Sequence, residues 1–232
     1  MSTIHFVGGE KGGVGKSVVA RLLAQYCIDR GVPFIAVDAD TSNRTLTRFY
    51  GDYVRPVDLT RIESTDEIVG LALVSERRVL VDLPAQSERA LAAWIAEAGI
   101  FDLAKECGID VVFWHVLDEG KDSLMALDRL LALHGHAARY CVVKNLGRGK
   151  DFSLFDASET RTRAEGLGAT IIDLPELQEG AMRKIDRHDA SYWAAAHNEA
   201  VGADVLSRID RNRIKVWLQT SFDAIARVPA AF

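Results

Sequence analysis

The run Gly8-Gly9-Glu10-Lys11-Gly12-Gly13-Val14-Gly15-Lys16-Ser17 constrains this chain more than any other stretch. Before it lies Thr3-Ile4-His5-Phe6-Val7, an apolar run that reads as a buried first strand. After it, Val18 to Cys27 carries apolar residues at helical spacing. Strand, glycine-rich loop, Gly-Lys-Ser and helix together form the context of a phosphate-binding loop. Glycines let backbone N–H groups turn onto phosphate oxygens without Cβ clashes, and the helix N-terminus adds partial positive charge. In such a loop Lys16 reaches the β- and γ-phosphates, and the Ser17 hydroxyl completes a Mg²⁺ shell. The strict pattern wants glycine where Glu10 stands, and a second lysine, Lys11, sits inside the loop. Glu10 is the one acidic neighbour that the sequence sets beside Lys11.

Strand-like and helical stretches then alternate, which predicts a doubly wound, mostly parallel α/β sheet with helices on both faces. Strands are expected at 34–37, at 54–59 (held at an edge by Pro56), and at 78–82, 110–116, 139–145 and 170–175. Helices are expected at 44–50, 65–76, 87–97, 121–133 and around Arg183, Lys184 and Arg187, with a long last helix over about 201–228. In that helix Leu206, Ile209, Ile214, Trp217, Leu218, Phe222 and Ile225 share one side. The whole chain, 1–232, reads as one domain.

Three aspartates stand at strand ends, where α/β folds place ligands. Asp38 and Asp40 close the second strand. Beside a phosphate loop they would repel a nucleotide unless they face Mg²⁺, Lys16 or the attacking water; otherwise they cap the short helix near Arg44. Asp82 closes 78–82 and suits a Mg²⁺ ligand acting through water, or a helix cap. His115 ends another strand, where a satisfied buried imidazole outweighs a catalytic one.

Charge and composition narrow the remaining classes. A net charge of -5 argues against general attraction to nucleic acid or anionic lipid. Weak, ATP-dependent DNA binding would have to use local clusters such as Arg183/Lys184/Arg187 or Arg208/Arg211/Lys215. Cys27, Cys107 and Cys141 show no paired spacing for a disulfide or zinc site. No apolar run approaches the roughly 18 residues of a membrane span, and no leader precedes the first strand, so a soluble cytoplasmic protein is expected.

The loop variant with Lys11, together with Asp38-Ala39-Asp40 and Asp82-Leu83-Pro84, resembles the deviant-Walker ATPases of the ParA/MinD type. The segments Asp40-Thr41-Ser42-Asn43 and Gly147 to Ser153 are similar to their conjugation and mobilisation branch, the TraL/MobD/StbB-like plasmid proteins. The resemblance implies a slow ATPase that dimerises on binding ATP and Mg²⁺ and acts with a plasmid-transfer or partition protein. By the same resemblance, Lys11 reaches the partner subunit's nucleotide, Asp40 orients the hydrolytic water, and Asp38 and Asp82 support the metal with Ser17. Gly12, Gly13, Val14, Gly15, Lys16, Ser17 and Val18 then hold the phosphates, while Asn145 and Pro175 meet the base. Asn145 is not followed by the Lys-x-Asp of guanine readers, so ATP is favoured over GTP. Val18 replaces the second hydroxyl that relatives offer the α-phosphate, leaving its backbone N–H. Two other outcomes implied by the resemblance are a nucleotide-dependent recruitment scaffold with negligible turnover and a membrane-associated ATPase like MinD.

Overall fold

A computed structural model describes residues 1–197 and 206–229. The chain opens with β1 (Thr3–Gly8), α1 (Lys16–Arg30), β2 (Phe34–Asp38), α2 (Thr45–Tyr50) and β3 (Val54–Pro56). Next come α3 (Ile62–Val74), β4 (Arg78–Asp82), α4 (Glu88–Glu97), α5 (Ile100–Glu106), β5 (Asp110–Leu117) and α6 (Lys121–His134). The remainder is β6 (Arg139–Asn145), α7 (Ser153–Asp156), α8 (Glu159–Gly166), β7 (Thr170–Leu174), α9 (Glu179–Arg187), α10 (Tyr192–His197) and α11 (Arg208–Ile225).

The seven strands form one sheet in the order β3-β2-β4-β1-β5-β6-β7, and every strand pair is parallel. The expected doubly wound architecture is therefore the observed one. Successive side chains on a strand face opposite ways, so a sheet covered on both faces needs apolar residues at every position. Val112, Trp114, Val116, Cys141 and Val143 join the core beneath α1 and α11. Val111, Phe113, Tyr140 and Val142 join the one beneath α3, α4 and α6. The loops between strand ends and the following helices gather at one edge of this sheet, beside the β1–α1 loop.

Several boundaries move. The helix expected from Thr65 begins at Ile62, and Thr65 is buried in its first turn with its hydroxyl donating to the Arg61 carbonyl at 3.1 Å. The edge strand stops at Pro56, and the next residue, Val57, still donates its N–H to the Asp38 carbonyl at 3.0 Å. The last helix starts at Arg208, because Ser207 and Asp210 form a reciprocal capping box. Residues 201–205 of the helix expected there lie outside the described residues. Ile209, assigned from sequence to the apolar side, is 58% exposed. The short helices α5, α7, α8 and α10 fall in segments with no regular apolar spacing. Among the described residues, no helix is long and apolar enough to cross a membrane.

Candidate nucleotide site

The β1–α1 loop wraps over the N-terminus of α1. Gly15 sits at the helix N-cap with φ +104°, a left-handed conformation that disfavours any side chain. A Cβ there would also lie 2.3 Å from the Asn145 amide nitrogen. Gly9, with φ +149°, leaves no room either, since a Cβ would meet the Val116 carbonyl at 2.8 Å. Val14 is buried, and its carbonyl accepts a 2.7 Å hydrogen bond from Asn145 Nδ2. Lys16 is also buried, and its ammonium donates to the Gly9 and Lys11 carbonyls at 2.9 and 3.0 Å. Burial lowers its pKa, opposed by Asp82, Asp40 and Glu10.

A cleft of about 330 Å³ opens on this loop, lined by Gly12, Gly13, Gly15, Lys16, Ser17, Val18, Asp40 and Asn43. Beside it lies a smaller cavity of about 110 Å³ between β6, the turn after β7, and α11. Asn145, Pro175, Leu177, Met182 and Trp217 line that cavity, and Val18 and Arg148 border both spaces. Of the residues assigned from sequence to phosphates and base, all but the buried Val14 line one of two adjoining hollows.

The aspartates behave differently from one another. Asp38 Oδ2 accepts from the Thr47 N–H and hydroxyl, both at 2.9 Å, and Oδ1 accepts from the Asp40 N–H at 3.2 Å. Its carboxylate thus caps the first turn of α2 and fixes the turn that carries Asp40. Asp40 closes the following turn, accepting from the Ser42 N–H at 3.2 Å and from the Asn43 N–H and amide at 3.0 and 2.9 Å. It nonetheless lines the cleft. Asp82 is fully buried, and neither oxygen accepts a hydrogen bond. Burial pushes its pKa up to about 7, moderated by the Ser17 hydroxyl and Lys16 and reinforced by Asp38 and Asp40.

An orphaned carboxylate beside the Ser17 hydroxyl is the donor chemistry a hard divalent cation takes. Among the described residues no three His, Cys, Asp or Glu side chains form a metal cage. Mg²⁺ held by one hydroxyl, phosphate oxygens and water fits this arrangement, because Mg²⁺ keeps most of its waters.

Three findings lie outside the sequence reading. Lys11 is paired: its ammonium donates to Asp118 Oδ2 at 2.7 Å. Asp118 lies just past β5, 107 positions away in sequence, so proximity along the chain gave no hint of it. Glu10, the expected neighbour, instead accepts from the Glu88 N–H at 3.3 Å. Arg21 is buried on α1, with its guanidinium 3.6 Å from the Phe49 ring centroid, 4.4 Å from that of Tyr192, and 2.8 Å from Asp186. The signal was a lone arginine inside an otherwise apolar helical run. The basic clusters are also less free than their composition suggests: Lys184 pairs with Asp210 at 2.8 Å and Arg183 with Glu179 at 3.7 Å. His115 is buried with Nε2 3.3 Å from the Ser123 carbonyl, and burial lowers its pKa to about 4, which makes it the satisfied imidazole expected.

No protein-family model matches the chain. Its sequence is 26% identical over 183 residues to MobD of Acidithiobacillus ferrooxidans, covering 75% of this chain and 78% of MobD. It is 25% identical over 236 aligned positions to a TraL protein of Escherichia coli, covering 97% and 98% of the two chains. Among solved structures, the septum site-determining protein MinD of Pyrococcus horikoshii, complexed with Mg-ADP, superimposes with a TM-score of 0.52. That match covers 100% of each chain at 16% identity. The chain has the fold of the MinD-type P-loop proteins. The ParA/MinD-type fold accounts for the parallel sheet and the strand-end loops. The TraL/MobD resemblance read from residues 40–43 and 147–153 finds its counterpart in the two sequence relatives.

Proposed function

We propose that this chain is a slow, ATP-hydrolysing switch that dimerises on ATP and acts in the cytoplasm in plasmid mobilisation, conjugation, stabilisation or partition. The observation that carries the reading is the phosphate loop with buried Lys16 beside the orphaned, buried Asp82. Backbone N–H groups of Gly12, Gly13, Val14, Gly15 and Val18 cradle the phosphates, and Lys16 leaves its two carbonyl acceptors to meet them. Ser17 and Asp82 hold the hydrated Mg²⁺, which when bound neutralises charge on the β- and γ-phosphates. Asp38 contributes by fixing the turn that carries Asp40. Asp40 orients the hydrolytic water, Lys11 serves the partner subunit's nucleotide, and Asn145 and Pro175 border the base. The MinD relation supports nucleotide and Mg²⁺ binding, and the TraL and MobD relations support a plasmid-transfer protein as partner. Weak DNA binding would fall to Arg187, Arg208, Arg211 and Lys215, because Arg183 and Lys184 are engaged by Glu179 and Asp210.

Calorimetry tests the core of this. Lys16→Ala should abolish measurable Mg·ATP binding while the circular dichroism spectrum stays that of wild type. Equal affinity in the two proteins would remove the loop assignment.

One observation favours a second reading, a nucleotide-loaded recruitment scaffold with negligible turnover. Three donors from Ser42 and Asn43 already occupy the Asp40 carboxylate, which leaves about one acceptor position, on Oδ2, for a water. Steady-state phosphate release, with and without DNA or partner, separates switch from scaffold.

A further inference from the structure

Glu10 stands where the strict loop pattern has glycine, and it lines neither the phosphate cleft nor the base cavity. Instead it grips the segment that follows Asp82 at two points. The Gln86 N–H donates to its backbone carbonyl at 3.2 Å, and its Oε2 accepts from the Glu88 N–H at 3.3 Å. Glu88 opens α4, and the first N–H groups of a helix have no partner inside it and carry partial positive charge. A carboxylate is the natural acceptor for such a donor.

Little else fixes this stretch. Beneath it lies a cavity of about 40 Å³, walled by Leu83, Leu91, Phe113 and Leu130 and bordered by Gly8 and Gly9, which bring no side chains to fill it. Packing holds a segment weakly where the partner atoms are missing. Gln86 has φ +59°, a left-handed conformation that costs a residue with a Cβ, so local preference does not keep the loop there. The Leu83 N–H is anchored to the Val7 carbonyl at 3.0 Å, and the Ser87 hydroxyl bonds only within the segment, to the Pro84 carbonyl at 2.9 Å. Glu88 also faces Arg129 at 3.4 Å, a half-exposed pair of the kind that contributes little. Between these ties, Ala85 lines the phosphate cleft with Gly12 and Gly13, and none of the three reaches the base cavity. That end of the cleft takes the phosphate most distant from the base.

We propose that Glu10 is a positioning residue for the terminal phosphate: it latches the loop after Asp82 to the phosphate loop and keeps the Ala85 wall of the cleft in place before nucleotide arrives. Without the latch the loop samples other positions, and part of the binding free energy goes into reordering it. ATP, which reaches that wall, then loses affinity, while ADP, which ends short of it, does not. This deepens the nucleotide reading above and rests on it.

The latch is tested first without nucleotide, by amide hydrogen exchange on the full chain. The Glu88 N–H should exchange about tenfold faster in Glu10→Ala than in wild type, and stay protected in Glu10→Gln, whose side-chain oxygen still accepts. Calorimetry with Mg·ATP and Mg·ADP reads the consequence. Glu10→Ala should weaken ATP about three- to tenfold and leave ADP within about twofold, while Glu10→Gln binds both as wild type does. A pure charge effect has another signature, because removing a carboxylate beside phosphates tightens both nucleotides in Glu10→Ala and Glu10→Gln alike. That signature, an equal weakening of ATP and ADP, or an unchanged ATP affinity in Glu10→Ala overturns the proposal. So does a wild-type Glu88 N–H that exchanges as fast as a solvated amide, a result that stands even if Glu10→Ala does not fold. Wild type that protects this N–H yet binds neither ATP nor ADP would instead overturn the nucleotide reading itself.

Discussion

The ends of β2 and β4 carry the same residue at the same level of the sheet, and the structure treats the two copies in opposite ways. Asp38 and Asp82 are register partners across the parallel pair, and both are buried. Asp38 accepts three hydrogen bonds from its own turn. Asp82, one strand closer to the loop, accepts none. A buried carboxylate without donors costs stability, whereas one that caps a helix adds to it. One aspartate thus builds the fold, and the other is kept available at the fold's expense.

The sharpest way to break this comparison is to remove the charge at Asp82. Its pKa is 3.8 when solvated and about 7 in the fold, so the folded state binds the extra proton. Stability is therefore fully present below pH 4, is lost as pH rises toward 7, and is level above that. The shift amounts to about 4 kcal/mol at pH 8. Asp82→Asn should recover up to about that much in urea unfolding and flatten the profile between pH 4 and 7. The same variant should weaken Mg²⁺-dependent ATP binding about ten- to a hundredfold. A variant that is less stable at pH 8 would mean the carboxylate has partners in the fold after all.

Asp38→Ala should do the reverse. It strands the Thr47 N–H and hydroxyl at the start of α2 and lowers stability by about 2 kcal/mol. Thermal unfolding at pH 7 measures this directly. If Asp38→Ala and Asp82→Asn move the midpoint in the same direction, the division of labour between the two strand ends is wrong.

The contrast between these aspartates marks the limit of what could be read beforehand. Alternating apolar runs and the Gly8–Ser17 loop disclosed the parallel sheet and its ligand edge, because burial on both faces leaves its mark on every strand. The presence of acids at strand ends was equally plain. Their division was not, since it depends on whether Thr47 or nothing stands opposite, which is a matter of tertiary geometry. The start of the last helix was set too early by the apolar stripe running back to Leu206, whereas the Ser207–Asp210 capping box places it at Arg208. Asp118 was out of reach altogether, being linked to Lys11 only through the adjacency of β1 and β5.

Asp40 lies between the two extremes. Its three hydrogen bonds are solvent-exposed, so Asp40→Ala should cost about 0.5–1 kcal/mol of stability. Turnover should respond far more: ATP stays bound while phosphate release stops. Turnover at the wild-type rate would leave Asp40 a turn residue only.

The smallest stability effect and the subtlest functional one belong to Lys11 and Asp118. Lys11 is exposed and its hydrogen bond to Asp118 raises its pKa, so the ammonium stays charged across the physiological range. An exposed pair contributes little to folding, and Asp118→Asn should leave the melting temperature where it is. It does, however, hold Lys11 on its own subunit. If Lys11 acts on the partner's nucleotide, that bond must open as the dimer closes, and its loss counts against closure. Asp118→Asn removes the restraint and should tighten the ATP-dependent dimer about two- to fivefold, with ATP affinity of the monomer unchanged. Lys11→Ala should bind ATP normally and fail to dimerise, because the cation itself is gone. Light scattering with Mg·ATP across a concentration series reads both. A weaker dimer in Asp118→Asn would mean that the carboxylate also serves the interface, and a normal dimer in Lys11→Ala would confine the lysine to its own subunit.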